Sequence, residues 1–185
     1  MANKNKSVII AYFDGADKAD MGVNQLKSWD KANEDIKLGG IGILTYSEGK
    51  IQTRNVGARA TGTGAKAGAI IGVVAGVLSG GVTLIGGALA GLVGGGILGS
   101  LKHKSLGLSD ADMQNLEAEL KAGKSAVVVM ADDHEVGPTK AQLEYLGGKV
   151  MSFAVPAETV EAVEKAADAA ASAPDAPGAP EQPQS

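Results

Sequence analysis

Apolar residues along the chain follow two patterns, short continuous runs and longer stretches with helical spacing. The short runs are rich in β-branched and aromatic residues and end at turn residues such as Asp14-Gly15. Runs of this kind are typical of buried β-strands. The sequence therefore predicts strands at 7–13, 39–46, 50–56, 125–131 and 149–155.

The stretches between these runs have apolar residues every three or four positions among charged ones, as amphipathic helices do. Met21, Leu26 and Trp29 form one such stripe. Ser109 begins a capping-box pattern ahead of a second, and Pro138 is expected at the first position of a third. An Ala-rich helix is expected after the last strand. The predicted helices are 17–33, 109–123, 137–147 and 156–173.

The order of these elements predicts an α+β fold. Without the apolar insert the chain has the order β-α-β-β-α-β, followed by an extra α-β, which is typical of a ferredoxin-like split β-α-β sandwich. The expected division is a first half of the α/β domain (1–58), an inserted hairpin (59–104), a second half (105–155), an Ala-rich helix (156–173) and a disordered Ala/Pro tail (174–185).

The inserted stretch 67–101 has no charged residue, no aromatic residue and no proline. Glycines recur every four residues in two runs, 64–80 and 87–99, and this spacing places small residues on one helix face and lets a second backbone approach closely. These glycines are the predicted helix-packing and oligomerisation residues of a glycine zipper: Gly64, Gly68, Gly72, Gly76, Gly80, Gly87, Gly91, Gly95 and Gly99.

The insert is too long for one straight membrane span. A helix over 67–101 would be about 50 Å long, whereas the hydrocarbon core of a bilayer is roughly 30 Å thick. A bend at Ser79-Gly80-Gly81 would give two arms, and Lys66, Lys102 and Lys104 flank them. Under the positive-inside rule these lysines keep both ends of a membrane hairpin in the cytoplasm.

Composition excludes several classes of function. The formal net charge is -4 and no cluster of basic residues with interleaved aromatics is present, so we expect no nucleic-acid partner. The chain has no cysteine, and therefore neither a disulfide framework nor a thiolate metal site. With two histidines the usual general bases are scarce. We expect no enzymatic activity, no cofactor and no metal.

Two short segments resemble chemical motifs. The segment 118–125, AELKAGKS, is one residue away from a P-loop, but it leads from a helix into a strand, the reverse of the order that a phosphate-binding loop needs. The sequence Asp132-Asp133-His134-Glu135 is the densest set of metal-ligand or acid/base side chains. We interpret it as a solvated loop after a strand, with ligand binding as the alternative.

Five segments resemble the bacterial domain of unknown function 1269. They are VIIAYFDGADKA, YSEGKIQ, GTGAKAGAIIGVVAG, LGLSDADMQNLEAELKAGKSAVVV and YLGGKVM, which together span most of the chain before the tail. Proteins similar to this family are described as membrane proteins, so the resemblance implies membrane association. It implies no catalytic residues.

The sequence therefore predicts a non-enzymatic homo-oligomer at the inner membrane, with the α/β domain in the cytoplasm. In this interpretation the glycine-zipper hairpin mediates both membrane insertion and self-association. One alternative is a soluble cytoplasmic assembly, such as a cage, ring or filament, with the hairpins as its buried core. A second alternative is a small-ligand-binding or enzymatic α/β domain that uses the segment 132–135.

Overall fold

Five β-strands form one sheet in a computed structural model that describes residues 6–57, 78, 103–162 and 165. The sheet has the order β3-β2-β4-β1-β5, and each neighbouring pair is antiparallel. The predicted α+β class is confirmed. The strands are β1 (Lys6–Phe13), β2 (Gly40–Ser47), β3 (Lys50–Gly57), β4 (Ser125–Asp132) and β5 (Lys149–Val155).

Strands β1 and β4 occupy the middle of the sheet and are buried on both faces. They pair along their full length, from Lys6 opposite Asp132 to Phe13 opposite Ser125. Every residue of β1 after Lys6 and every residue of β4 before Asp132 is buried. A strand covered on both faces has no polar side, which explains why these two runs in the sequence are continuously apolar.

Helices cover both faces of the sheet. They are α1 (Ala16–Ala32), α2 (Asp110–Lys121) and α3 (Asp133–Tyr145), together with a 3-10 helix at His103–Leu106 and helical residues at 157–162. The last of these lie within the predicted Ala-rich helix. The predicted tail, 174–185, lies outside the described residues.

One face, which we call the α1/α3 face, is covered by α1 and α3. Gly22 of α1 lies directly over Phe13, since a Cβ at this position would lie 2.9 Å from Phe13 Cζ. Glycine therefore lets the helix approach the sheet closely. The buried residues of this cluster are Ile9, Ala11, Phe13, Ala19, Val23, Leu26, Ile36, Leu38, Ile41, Ile43, Val127, Val129, Ala131 and Leu143.

The opposite face, which we call the insert face, is covered by residues that follow β3 in the chain. Leu116 and Leu120 of α2 pack here with Leu106 and Leu108, and Leu78 belongs to the same cluster. The sheet contributes Val8, Ile10, Tyr12, Leu44, Ala126, Val128 and Met130, and Val155 and Val160 complete the cluster. Both faces of the sheet are therefore closed by the chain itself.

Two features differ from the expected sandwich order. The expected order makes α2 the second helix of the sandwich, but α2 packs on the insert face, opposite α1. Strand β3 pairs only with β2 among the described strands and lies at the edge of the sheet, so that β4 takes the place between β2 and β1. The helix on the same face as α1 is α3, because Leu143 packs among the α1 residues.

The β2–β3 turn and the start of α3 also differ from the sequence prediction. The β2–β3 connection is a two-residue turn, shorter than expected, and its residues Glu48 (φ 54°) and Gly49 (φ 80°) have the positive φ values of a tight hairpin turn. The prediction for Pro138 is wrong. Helix α3 begins at Asp133, and Pro138 lies inside it.

Candidate functional site

The residues to which the sequence assigns a function lie mostly outside the described part of the chain. They include the two flanking lysines Lys66 and Lys102 and all nine zipper glycines: Gly64, Gly68, Gly72, Gly76, Gly80, Gly87, Gly91, Gly95 and Gly99. Leu78 is the described residue of this segment. It is helical, 1% exposed and part of the insert-face cluster. Leu78, just before the predicted bend, is therefore buried in the core on the insert face.

The third flanking lysine, Lys104, lies within the 3-10 helix on the insert face. Its ammonium group is 2.8 Å from Asp110 Oδ2 in the first turn of α2, and both side chains are exposed. The neighbouring Leu106 and Leu108 are buried. The polar residues that follow the glycine-rich segment are therefore attached directly to the α/β domain.

The acidic segment that follows β4 is not a loop. Asp132 caps α3, and Asp133, His134 and Glu135 form its first turn. Glu135 Oε2 accepts a hydrogen bond of 2.8 Å from the Asp132 backbone N–H, which is one half of a capping box. The expectation of a solvated strand-end loop is wrong, because the acidic side chain three residues after the cap starts the helix at this position.

Glu135 is 2% exposed and both of its oxygens have partners within the fold. Besides the capping contact, Oε1 accepts a hydrogen bond of 2.6 Å from the Lys37 backbone N–H. Lys37 lies in the α1–β2 connection, so one carboxylate joins the start of α3 to the entry of β2. Asp132 Oδ1 accepts a 2.8 Å hydrogen bond from Lys6 Nζ.

These contacts determine the chemistry available to the segment 132–135. A metal ion or ligand would have to displace hydrogen bonds that hold three chain segments together, while Asp133 and His134 point into solvent. Within residues 6–57 and 103–162, no group of three or more His, Cys, Asp or Glu side chains is arranged to hold a metal ion. The segment is therefore built as a structural helix cap.

A second charged cluster, which the sequence did not predict, lies at the opposite end of the sheet. Glu119 near the end of α2 is 2.7 Å from Lys124 Nζ and 3.0 Å from Lys149 Nζ. Lys149 begins β5, and Tyr12 faces it across the pair with β1. The sequence carries no signal for this cluster, because its residues come from β1, α2, the α2–β4 connection and β5.

Ion pairing and burial shift the pKa values of Glu119 and Tyr12 in this cluster. Hydrogen bonds from Lys124 and Lys149 lower the pKa of Glu119 below its ordinary value. Burial raises the pKa of Tyr12 to about 12, with further contributions from the negative charges of Glu119 and Asp112. At neutral pH Glu119 is ionised and Tyr12 is a neutral phenol. The cluster therefore consists of an ion-paired carboxylate beside a buried hydroxyl.

The segment between α2 and β4 shows that the P-loop resemblance is superficial. Gly123 has φ 88°, and the backbone N–H groups of Gly123 and Lys124 donate to the carbonyls of Leu120 and Glu119. This is a left-handed glycine C-cap that closes the helix before the strand begins. The predicted order of helix followed by strand is confirmed, and no helix N-terminus is present here to hold a phosphate.

Comparison with known families identifies the chain. The family model described as protein of unknown function (DUF1269) matches residues 61–168. The chain belongs to the DUF1269 family. No curated protein and no solved structure gives a significant match.

The DUF1269 match spans the glycine-rich segment, α2, β4, α3 and β5, and it extends past the helical residues 157–162. It begins after β3. The segments near the start of β1 and at the β2–β3 turn, which also resemble the family, lie outside the match. The shared part of the chain is therefore the glycine-rich segment together with the helices and strands that follow it.

The family match assigns no activity to the chain, and its description says nothing of a membrane. Among the residues that the structure describes, no helix is both long enough and apolar enough to cross a membrane. Residues 58–77 and 79–102, which include nearly all of the glycine-rich segment, lie outside the described part of the chain.

Proposed function

We propose that this DUF1269 protein is a non-enzymatic, self-associating protein that binds membranes through its glycine-rich segment. The observation that carries the proposal is that the most strongly bonded carboxylates of the described domain take part in structural contacts. Asp132, Glu135 and Glu119 each bind partners that hold secondary-structure elements together. The α/β domain is then a rigid base, and the glycine-rich segment is the part of the chain that acts on other molecules.

Self-association is supported by the energetics of glycine in helices. Each glycine costs on the order of 1 kcal/mol relative to alanine in a water-exposed helix. The segment 67–101 contains many glycines at four-residue intervals, so close packing against another surface has to offset this cost. Partners of this kind are arms of the same zipper, from one chain or from several.

Membrane binding is supported by the basic flanks and the absence of charge between them. Lys66 precedes the segment and Lys102 and Lys104 follow it. This pattern favours a hairpin with both ends at the cytoplasmic side of the inner membrane, where the α/β domain would also lie.

A second candidate function is a soluble assembly in which the glycine-rich segments are buried in protein. The burial of Leu78 favours it, since a membrane hairpin that bends at Gly80-Gly81 would carry Leu78 to the end farthest from the sheet. In a soluble assembly Leu78 stays buried in the core on the insert face, and the glycine-rich segment contacts protein and no lipid.

We also infer that the domain has a ferredoxin-like arrangement, with an assignment that differs from the expected one. The units β1-α1-β2 and β4-α3-β5 each consist of two strands separated by one other strand, and their helices pack on the same face. Two interlocked units of this kind define the split β-α-β pattern. Strand β3, the glycine-rich segment and α2 would then form one insertion between the units.

Fractionation of cells followed by sizing tests the proposed function. Membranes are washed with alkaline carbonate, which removes peripheral proteins, and the protein is then sized in detergent. We expect recovery in the washed membranes as an oligomer. Recovery in the wash as a large soluble particle would establish the second candidate, and a monomer in both fractions would overturn self-association.

Glycine variants show whether the zipper is responsible. Leucine at Gly72 and Gly91 blocks the close approach on which zipper packing depends, so oligomer size should fall. Gly137→Leu is the matched control, because a Cβ at this helical position meets nothing within 4 Å. Equal oligomer size in the zipper variant and the control would contradict the proposed role of the glycines.

A further inference from the structure

Strands β3 and β5 are the two outer strands of the described sheet, and their edges differ. The pairing of β3 with β2 contains a register shift, and Arg54 of β3 carries a charge that pairs with Asp20 of α1. Strand β5 pairs with β1 along its full length without a register shift, and residues 150–155 carry no charge. Proteins protect exposed sheet edges with charges and bulges. Strand β5 has neither of these devices.

The outer edge of β5 presents the backbone groups of Val150 and Ser152. Alternate residues of a strand in an antiparallel sheet direct their N–H and C=O groups to opposite edges. The Met130 carbonyl of β4 accepts a 2.9 Å hydrogen bond from the Gly39 N–H on the β2 side. This alternation, followed through the registers of β4 with β1 and of β1 with β5, directs Met151 toward β1 and therefore Val150 and Ser152 outward. No other described strand pairs with this edge.

One end of the outer edge is closed by the chain itself. Ala154 is the next residue that directs its backbone groups outward, but a Cβ on Gly107 would lie 2.4 Å from the Ala154 carbonyl oxygen. The residue after the 3-10 helix therefore lies against this end of β5. A partner strand can reach Val150 and Ser152, and these two positions exchange under a two-fold axis through Met151.

The sequence of β5 is complementary to itself about Met151. In an antiparallel pair of two copies, Val150 lies opposite Ser152 and Lys149 lies opposite Phe153, so no like charges face each other. Met151 and Phe153 pack against the insert-face cluster and Val150 against the α1/α3 cluster, and all three are only partly buried. A second copy would continue both layers and bury the exposed parts of these side chains.

We propose that two copies of the chain pair through β5, antiparallel and centred on Met151, and join their sheets into one continuous sheet. The backbone groups of Val150 and Ser152 supply about four hydrogen bonds between the copies. The same surface is used on both copies, as in the common two-fold homodimers. The contact goes beyond the proposed function, since it uses neither the glycine-rich segment nor a membrane, and it adds a second contact between copies.

An introduced thiol tests the pairing. The chain contains no cysteine, so Met151→Cys provides one thiol in each copy. On the axis the two Cα atoms would lie about 4.5 Å apart, which suits a disulfide. We expect mild oxidation to link Met151→Cys at least about 10-fold faster than Phe153→Cys, whose two copies would be about 13 Å apart along the strands. Equal rates, or no linked dimer in either variant, would overturn the pairing.

A charge on the axis gives an independent result. Met151→Lys places two lysines directly opposite each other, so we expect the dissociation constant of the dimer, measured by sedimentation, to rise at least about 10-fold. Ile51→Lys is the matched control, because Ile51 is also a partly buried residue of the insert-face cluster but lies on β3. Equal changes in the two variants would contradict the pairing. If Met151→Lys does not fold, the disulfide rates alone decide.

The zipper variant with Gly72→Leu and Gly91→Leu separates this contact from zipper packing. We expect Met151→Cys to form its disulfide as fast in that variant as in the parent chain. Loss of the disulfide there would show that the zipper brings the thiols together, and β5 pairing would be wrong. A linked dimer in a protein that is absent from washed membranes, and whose zipper variant keeps its oligomer size, would support β5 pairing and overturn the proposed function.

Discussion

The two faces of the sheet are closed in different ways. The α1/α3 face is covered by two helices, each of which directly follows a strand of the sheet, and a single carboxylate, Glu135, joins the start of α3 to the connection that leads into β2. The insert face is covered by Leu78, the 3-10 helix and α2, all from the long connection between β3 and β4. Local helices suffice for the first face, whereas the second depends on a segment of unusual composition.

The two faces are therefore expected to differ in what substitutions change: folding alone on one face, and folding together with association on the other. The apolar residues on the α1/α3 face come from the strands, the α1–β2 connection and the two helices, none of which belongs to the glycine-rich segment, and substitutions there should affect folding alone. The insert face includes a residue of the segment that we propose to bind membranes or other copies. Changes on that face should therefore affect both folding and association.

The largest effect is expected on the α1/α3 face, from Glu135→Ala. The variant removes the acceptor for the backbone N–H groups of Asp132 and Lys37, and a buried donor left without a partner costs about 1–3 kcal/mol. We expect a loss of about 3 kcal/mol in the free energy of unfolding, measured in urea through the fluorescence of Trp29, the only tryptophan. The exposed Glu144→Ala on the same helix is the control. A loss below about 0.5 kcal/mol would show that the two segments are held by other contacts.

The second largest effect is expected on the insert face, from alanine at Gly107. It is compared with alanine at Gly123, a glycine with a similar positive φ value. Gly107 has φ 79° and Gly123 has φ 88°, but a Cβ at Gly107 would lie 2.4 Å from the Ala154 carbonyl oxygen, whereas a Cβ at Gly123 meets nothing within 4 Å. Gly123→Ala should cost about 1 kcal/mol from the backbone alone. Gly107→Ala should cost about 2 kcal/mol more, because the 3-10 segment must move away from β5.

Urea unfolding measured by far-UV circular dichroism and by Trp29 fluorescence tests this prediction. Trp29 packs against the α1/α3 face, so coincident transitions in Gly107→Ala would show that both faces unfold together. A Trp29 transition at higher urea than the circular dichroism transition would show that the insert face opens first. Equal losses in Gly107→Ala and Gly123→Ala would contradict the close approach to Ala154.

The smallest effect is a pH dependence at the edge of the insert face. Because hydrogen bonds lower the pKa of Glu119 in the folded protein, the unfolded chain binds a proton at a higher pH than the native state does. The contribution of Glu119 to stability is therefore present above its unfolded pKa near 4.5 and is lost as the pH falls through the lowered folded value.

We expect the Tm of Glu119→Gln to fall less steeply than that of the wild type below about pH 5. Glu117→Gln is the control, since Glu117 pairs with Lys121 at the exposed surface of the same helix. Identical acid profiles in Glu119→Gln and the wild type would show that the contacts with Lys124 and Lys149 do not contribute to folding.

Most of the elements were predictable because they rest on local rules. The continuous apolar run of β4, the helix cap of α2 at Ser109 and the glycine that ends it at Gly123 all lie where the sequence predicts them. The start of α3 was not predicted, because Pro138 is a strong signal for a first helical position, although Asp132 followed three residues later by Glu135 has the spacing of a capping box. The Glu119 cluster could not be predicted, since β1, α2, the α2–β4 connection and β5 meet there only after folding.

By itself, the sequence determined the α+β class, the run of strands and helices, and a glycine-rich segment that requires a closely packed partner. Hydrophobic periodicity and glycine spacing are local properties that the chain carries before it folds. Only the tertiary structure decided that β4 lies between β2 and β1, that α2 covers the face opposite α1, and that Leu78 is buried in the core on the insert face. The order of strands and the choice of face depend on which apolar surfaces meet across long stretches of chain, and local periodicity does not encode that choice.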